Sequence, residues 1–154
     1  MNRTRVTPGP GQESVWDYPR PPRVEDTTKH IQVVYNGTLV ADTLHAKRVL
    51  ETSHPPVYYI PPDDIKMEHL VVTGRATWCE WKGQAVYYTV IVEDKQVEDA
   101  AWSYPHPTSG FEEIKGYVAF YPDLVEACYV DGERVQAQSG GFYGGWITRD
   151  IVGP

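Results

Sequence analysis

The chain has two cysteines, Cys79 and Cys128, 154 residues in all, and no close-spaced Cys pair. The CxxC spacing of a structural zinc site or a redox motif is therefore missing. A disulfide between the two would need an oxidising compartment, and buried, reduced thiols are the expectation. Basic residues are also scarce, 14 Lys and Arg against 21 Asp and Glu, for a net charge of −7. A phosphate-backbone binder gains affinity by neutralising phosphates with Lys and Arg, so nucleic acid is not an expected partner, nor is an anionic membrane surface. No run approaches the roughly 20 apolar residues that span a bilayer. Met1 to Pro22 is polar and Pro-rich without an apolar core, so no signal peptide is expected and the cytoplasm is the default. On that basis the sequons Asn2-Arg3-Thr4 and Asn36-Gly37-Thr38 are read as chance matches. Heptads and internal repeats are missing too.

What is abundant is glycine and proline, 13 each, well above the roughly 12% usual for the two together. Aromatics are plentiful and polar-tipped, with eleven Tyr and five Trp against three Phe. This palette suits short strands joined by tight turns. A domain of this length buries roughly 70% of its unfolded surface and needs no metal or disulfide staple.

Along the chain, residues 1–27 read as an extended Pro-rich arm that lies against the domain through Trp16 and Tyr18. A core domain follows over 28–138, and residues 139–154 read as a glycine–aromatic tail. Within the core, Ile31 to Tyr35 is β-rich and runs into Asn36-Gly37, the strongest short hairpin signal, with Thr38 to Ala41 as the return. Further strands are expected at Ala46–Glu51, Val57–Ile60, Ala76–Lys82, Ala85–Val92, Ala100–Tyr104, Tyr117–Tyr121 and Val125–Val130. Asp131-Gly132 turns the chain into Arg134-Val135. Ala85–Val92 is apolar on both faces, as a central strand should be. Asp63 or Asp64 is expected to cap a single helical turn. The clearest helix signal is Ser109 to Lys115, where Ser109 and Glu112 match a capping box and Gly116 suits the left-handed C′ position. The fold class is mainly β with one or two short helices.

The densest group of chemistry-bearing residues is Cys79-Glu80-Trp81-Lys82-Gly83. Strand alternation puts Cys79 and Trp81 on one face, and a bend at Gly83 would swing Lys82 toward them. Trp102 and Tyr104 share a face of a second strand. If the two faces adjoin, the rings form an aromatic box with a lysine at its rim, suited to planar or cationic groups. The same rings would equally serve as core. Glu51 ends a strand before the rigid Thr52-Ser53-His54-Pro55-Pro56 loop and could accept a hydrogen bond from a ligand. The expected ligand-binding set is Glu51, Trp81, Lys82, Tyr88, Trp102 and Tyr104. None of the five histidines has the i, i+4 spacing of a zinc pair, so no metal site or cofactor is expected. Cys79 as a nucleophile would need an activating base. Gly140-Gly141 and Gly144-Gly145 lack the lysine of a phosphate loop.

The stretches Glu51-Thr52-Ser53-His54-Pro55-Pro56, Tyr58-Tyr59-Ile60-Pro61-Pro62, Cys79-Glu80-Trp81-Lys82-Gly83, Ala100-Ala101-Trp102-Ser103-Tyr104-Pro105 and Gly116-Tyr117-Val118-Ala119-Phe120-Tyr121 together resemble the family called domain of unknown function 427, also labelled a nucleotidyltransferase. The likeness covers about residues 16–154. Longer bacterial members share the Trp16-Asp17-Tyr18-Pro19-Arg20-Pro21-Pro22 arm and the Gly-aromatic tail. The resemblance implies a β-tent, two small antiparallel sheets meeting at an angle over a groove. It implies no reaction: the Gly-Ser pair with spaced Asp residues of the usual nucleotidyltransferases is missing, as is a P-loop. The leading expectation is a groove for a small polar or nucleoside-like molecule, with or without catalysis. The alternatives are a protein-interaction module, exposing the Trp16 arm or the Trp146 tail, and a redox or transfer enzyme using Cys79. Self-association is compatible with all three.

Overall fold

A computed structural model of the protein describes residues 7–138 and 144–154. The sequon match at Asn2 and the first five residues of the glycine–aromatic tail, 139–143, lie outside the described residues.

The chain folds into several small sheets, almost all antiparallel. The first is built from β7 (Leu70–Cys79), β8 (Gly83–Val92), β9 (Lys95–Ser103) and β10 (Val118–Phe120), in the order β10-β9-β8-β7. The second has the order β12-β11-β3-β4, from β3 (Ile31–Tyr35), β4 (Thr38–Thr43), β11 (Ala127–Val130) and β12 (Glu133–Arg134). A third joins β2 (Arg23–Asp26), β5 (Lys47–Leu50) and β6 (Val57–Tyr59). Ile60 and Val118 exchange backbone hydrogen bonds of 2.8 and 2.9 Å, which ties β6 to the β10 edge of the first sheet. Two-residue pairs complete the fold: β1 (Glu13–Ser14) with β15 (Ile151–Val152), parallel, and β13 (Gln136–Ala137) with β14 (Trp146–Ile147).

The hairpins form where the turn chemistry demands. Asn36 and Gly37 take φ of 49° and 74°, and Asp131 and Gly132 take 50° and 81°, the doubly left-handed turn whose twist matches the strands it joins. The expected strands are present, several with shifted ends, and β7 starts six residues earlier than expected. Its residues are mostly exposed, so no alternating pattern marks it in the sequence. The helix expected at Ser109–Lys115 shrinks to a 3-10 turn at Glu112–Ile114, flanked by Phe111 with no side-chain cap. The Glu112 carboxylate accepts from the Gly110 N–H instead of from the Ser109 position. Gly116 does take the left-handed conformation, φ 73°. At Pro62–Asp64 a 3-10 turn forms behind Pro61, again without a side-chain cap.

Two apolar clusters lie on opposite faces of the first sheet. One holds Val90, Val92, Ala101, Val118 and Phe120 with Tyr58 and Trp146. The other holds Ala85, Tyr87, Trp102, Tyr104 and Ala119 with Tyr59. Adjacent residues such as Ala101 and Trp102, or Tyr58 and Tyr59, fall into different clusters because strand side chains alternate. The N-terminal segment adds a third cluster, in which Val15 and Tyr18 pack with Leu50 and Ile151.

Charge reinforces that docking. Arg48, 8% exposed, donates to Glu25 at 2.7 Å and to Glu13 at 2.5 Å, and the Tyr18 hydroxyl donates to Glu13 at 2.7 Å. Lys29 pairs with Asp150 at 2.6 Å. Burial pushes the Glu13 carboxyl up, but the hydrogen bonds from Arg48 and Tyr18 and the Arg48 charge outweigh it and hold it below its ordinary value. Asp150 is likewise lowered, with the hydrogen bonds from Lys29 and Thr148 overcoming burial. A carboxylate with a depressed folded pKa stabilises the fold above its unfolded pKa, and that stabilisation is lost as pH falls through the folded value. Stability in urea is therefore expected to hold down to about pH 5 and to decline below about pH 4.5. A Glu13→Gln, Asp150→Asn variant is expected to show a flatter acid limb. An unchanged acid slope in that variant would show that these carboxylates do not set it.

Candidate functional site

The second cluster does not close. Between β5, β6, β8 and β9 it leaves a cavity of about 260 Å³, lined on its floor and walls by Tyr59, Tyr87, Trp102, Tyr104 and Tyr121. At its rim stand Glu51, His54 and Lys82. The rings are fixed in mutual contact: Trp102 to Tyr121 at 4.4 Å between centroids, and Trp102 to Tyr59 edge-on at 6.3 Å. The Trp102 indole N–H donates to the Tyr59 hydroxyl at 3.3 Å. Tyr59 also meets the Tyr104 ring at 6.3 Å between centroids, and Cys79 packs on the same cluster. Burial raises the pKa of Tyr59, Tyr104 and Tyr121, so the cavity presents neutral phenols that both donate and accept.

The charged rim has two unlike members. The Lys82 ammonium lies 5.8 Å from the centre of the Tyr104 ring and, among the described residues, forms no ion pair. Its direction comes from the hairpin: Glu80 to Lys82 form the turn, and Gly83 takes φ 101° against the backbone of His106 and Thr108. The Glu51 carboxylate is 3.5 Å from Arg20 of the N-terminal segment. The loop that carries Glu51 is pinned by that same segment, since Thr52 and Ser53 donate to the carbonyls of Pro19 and Val15 at 3.1 and 2.9 Å. His54 Nδ1 turns back to the Thr52 carbonyl at 2.9 Å.

The C-terminal segment shapes the wall opposite. A Cβ at Gly144 would lie 2.1 Å from the Trp102 ring, and one at Gly145 2.6 Å from Pro55. Both backbones approach closer than any side chain allows, and both residues line the cavity.

Of the residues singled out in the sequence, Glu51, Lys82, Trp102 and Tyr104 line this cavity. Trp81 packs on the same cluster from the hairpin turn without reaching the cavity wall. Tyr88 lies on the other face of the sheet, against the first cluster, with its hydroxyl 3.2 Å from Ser103. Its neighbour Tyr87 takes the place beside Trp102, because Tyr87 and Trp102 are cross-strand partners. Tyr59, Tyr121, His54 and Gln138 also line the cavity without having been singled out. For Tyr59 the signal was the Tyr58-Tyr59 pair, of which alternation must send one ring to each face. Trp146, offered as part of an exposed patch, is fully buried. Cys79 is half-buried, and Cys128 is buried with its thiol pKa pushed up by burial.

The family model of the domain of unknown function DUF427 matches residues 23–131. The chain belongs to this family. In this DUF427 domain the matched span contains Lys82, Trp102 and Tyr104 together with Glu51, whereas Arg20 and the two glycines that close the cavity lie outside it. No curated protein matches the chain. The family's short label is that of an NTP transferase. Among the described residues no three His, Cys, Asp or Glu side chains are grouped as a metal site would require.

Proposed function

We propose that this domain binds a small polar or nucleoside-like molecule in the aromatic groove. The observation that carries the reading is a single cavity in which Lys82 and Glu51 stand over rings that are themselves hydrogen-bonded and neutral. Ligand sites are concave, mostly apolar, and carry a few convergent polar groups. A volume of about 260 Å³ suits a planar group of one or two rings. Such a group would stack on the indole and phenols, with the phenol hydroxyls and the rim charges fixing its orientation.

A thermal-shift screen of metabolites tests this. A compound at about 100 times its Kd adds about 2.7 kcal/mol of stability, or about 5–10 °C for a domain of this size. Lys82→Ala is expected to weaken the hit about tenfold, as loss of a charged contact does. A hit that binds Lys82→Ala and Trp102→Phe as tightly as the wild type would place the ligand elsewhere.

A second reading has its own support. The edge strand β7 exposes Val71, Val72 and Trp78, the last 72% accessible, as an interaction module would. The same screen separates the two, since a module without a small ligand shows no shift with any compound. The cysteine reading finds Cys79 packed against the tyrosine-rich cluster, and a phenol is a poor base for activating a thiol.

A further inference from the structure

We infer that the groove continues past Tyr87 and Tyr121 into a second chamber that takes a hydroxyl-rich substituent of the same ligand; this rests on the reading of the groove given above. The ligand class is then a planar group bearing a neutral polyol, as in a glycoside or nucleoside, and not its phosphate.

Tyr87 and Tyr121 line both cavities. The second chamber, about 530 Å³, is completed by Arg75, Thr77, Glu98, Asp99 and Leu124. Two irregularities in the first sheet build it. Thr73, Gly74 and Arg75 of β7 together face Tyr87 alone, and Glu98, Asp99 and Ala100 of β9 together face Thr89 alone. Such bulges re-aim side chains. The Thr73 hydroxyl bridges them, 2.8 Å from the Asp99 carboxylate and 3.4 Å from the Tyr87 carbonyl.

Asp99 has φ 52°, a conformation that non-glycine residues adopt at a cost. Among the described residues, Asn36, Glu93 and Asp131 share that conformation at the first position of two-residue hairpin turns, and Ser53 shares it in the loop beside Glu51. Among the described non-glycine residues, Asp99 alone adopts it inside a strand. No turn requires it there; what it does is set a carboxylate beside Arg75, 3.7 Å away.

The chamber's chemistry suits hydroxyl groups. The Arg75 guanidinium lies 4.6 Å from the centre of the Tyr87 ring, a stacked cation with fixed donors. Asp99 and the exposed Glu98 supply acceptors, while the Thr77 and Tyr87 hydroxyls, 2.8 Å apart, both donate and accept. Leu124, 40% exposed, gives an apolar surface for a ring face. Vicinal hydroxyls donate to the carboxylates and accept from the guanidinium at once. A phosphate would meet two carboxylates against one arginine, and like charges oppose it.

Nuclear magnetic resonance titration of the full chain with uracil and adenine, their ribosides and the riboside 5′-phosphates tests the proposal. The free bases are expected to move only the Trp102 indole N–H signal, and the ribosides to move the Arg75 Nε–H signal as well. A riboside should bind at least about tenfold tighter than its base, and its phosphate no tighter than the riboside. Arg75→Ala, and independently Glu98→Gln, should bring riboside affinity down toward that of the base while leaving base affinity unchanged; both side chains are largely solvent-facing, so the fold is expected to survive. Bases that move Trp102 while the ribosides add neither affinity nor an Arg75 shift would overturn the second chamber and leave the groove standing. If no compound moves Trp102, the groove reading falls and the extension with it.

Discussion

Replacing Trp146 with alanine is expected to cost about 3–5 kcal/mol of stability, the usual range for emptying a large aromatic site. Trp146 is 0% exposed and is the largest fully buried side chain among the described residues. Its ring lies 5.0 Å from that of Tyr58, and its indole N–H donates to the Phe120 carbonyl at 3.1 Å in a buried setting. The backbone N–H of Trp146 also donates to the Pro56 carbonyl at 2.8 Å, so the residue anchors the C-terminal segment across the end of β6. Truncation would leave a cavity and strand the Phe120 carbonyl without its partner. Trp146→Phe keeps most of the volume and loses the donor, with an expected cost of about 1–3 kcal/mol. At about 2–4 °C per kcal/mol for a domain of this size, the alanine variant should melt about 6–20 °C lower. Urea unfolding measures both variants, and an alanine variant within about 1 kcal/mol of the wild type would show that the C-terminal segment is not integral to the fold. Because Gly144 and Gly145 close the groove just upstream, loosening this anchor should also widen it.

Arg48→Ala is the second large effect, an expected loss of about 2–3 kcal/mol. Breaking a buried ion pair by removing one partner commonly costs about 3–5 kcal/mol, because the remaining charge is left uncompensated. The lower figure applies here because the Glu13 and Glu25 side chains are 38% and 33% exposed, and water takes up part of the loss. The cost is an orphaned pair of carboxylates more than a missing attraction. Adding Glu13→Gln and Glu25→Gln to Arg48→Ala should therefore recover about half of it, a non-additivity that a mutant cycle reads directly. Full additivity of the three changes would overturn this account. Glu13 belongs to the N-terminal segment, whose Pro19 and Val15 carbonyls hold the Glu51 loop. Loss of Arg48 should thus raise the protease sensitivity of residues 7–22 before the domain as a whole unfolds.

Much of the secondary structure could be read because local chemistry enforces it. Asn36-Gly37 and Asp131-Gly132 admit few backbones other than a tight hairpin turn, and the apolar run at Ala85–Val92 does sit between two strands. The capping box at Ser109 shows the opposite case: a local preference worth about 1 kcal/mol gives way where the chain must turn back to pair β10 with β9. The first half of β7 was illegible, since an edge strand with both faces exposed carries no periodic signal. For the site, the aromatic content and the bend at Gly83 pointed to the right strands, but Tyr88 and Tyr87 were exchanged. Pairing across the Glu93-Asp94 turn sets odd-numbered residues of β8 opposite even-numbered ones of β9, and the bulge of three residues against Thr89 keeps that parity, so Tyr87 and not Tyr88 shares the face of Trp102.

The sequence by itself determined a mainly β chain of short hairpins, its family, and the Tyr- and Trp-rich strands on which a site would be sought, because turn residues, alternation and composition act over a few neighbours. Only the tertiary structure decided which rings share a hollow, that Glu51 is held by Arg20 while Lys82 forms no ion pair among the described residues, and that Trp146 is core. Those facts depend on strand register and on contacts between segments more than a hundred residues apart, such as Trp16 with Gly153. Only packing of the whole chain sets their energies.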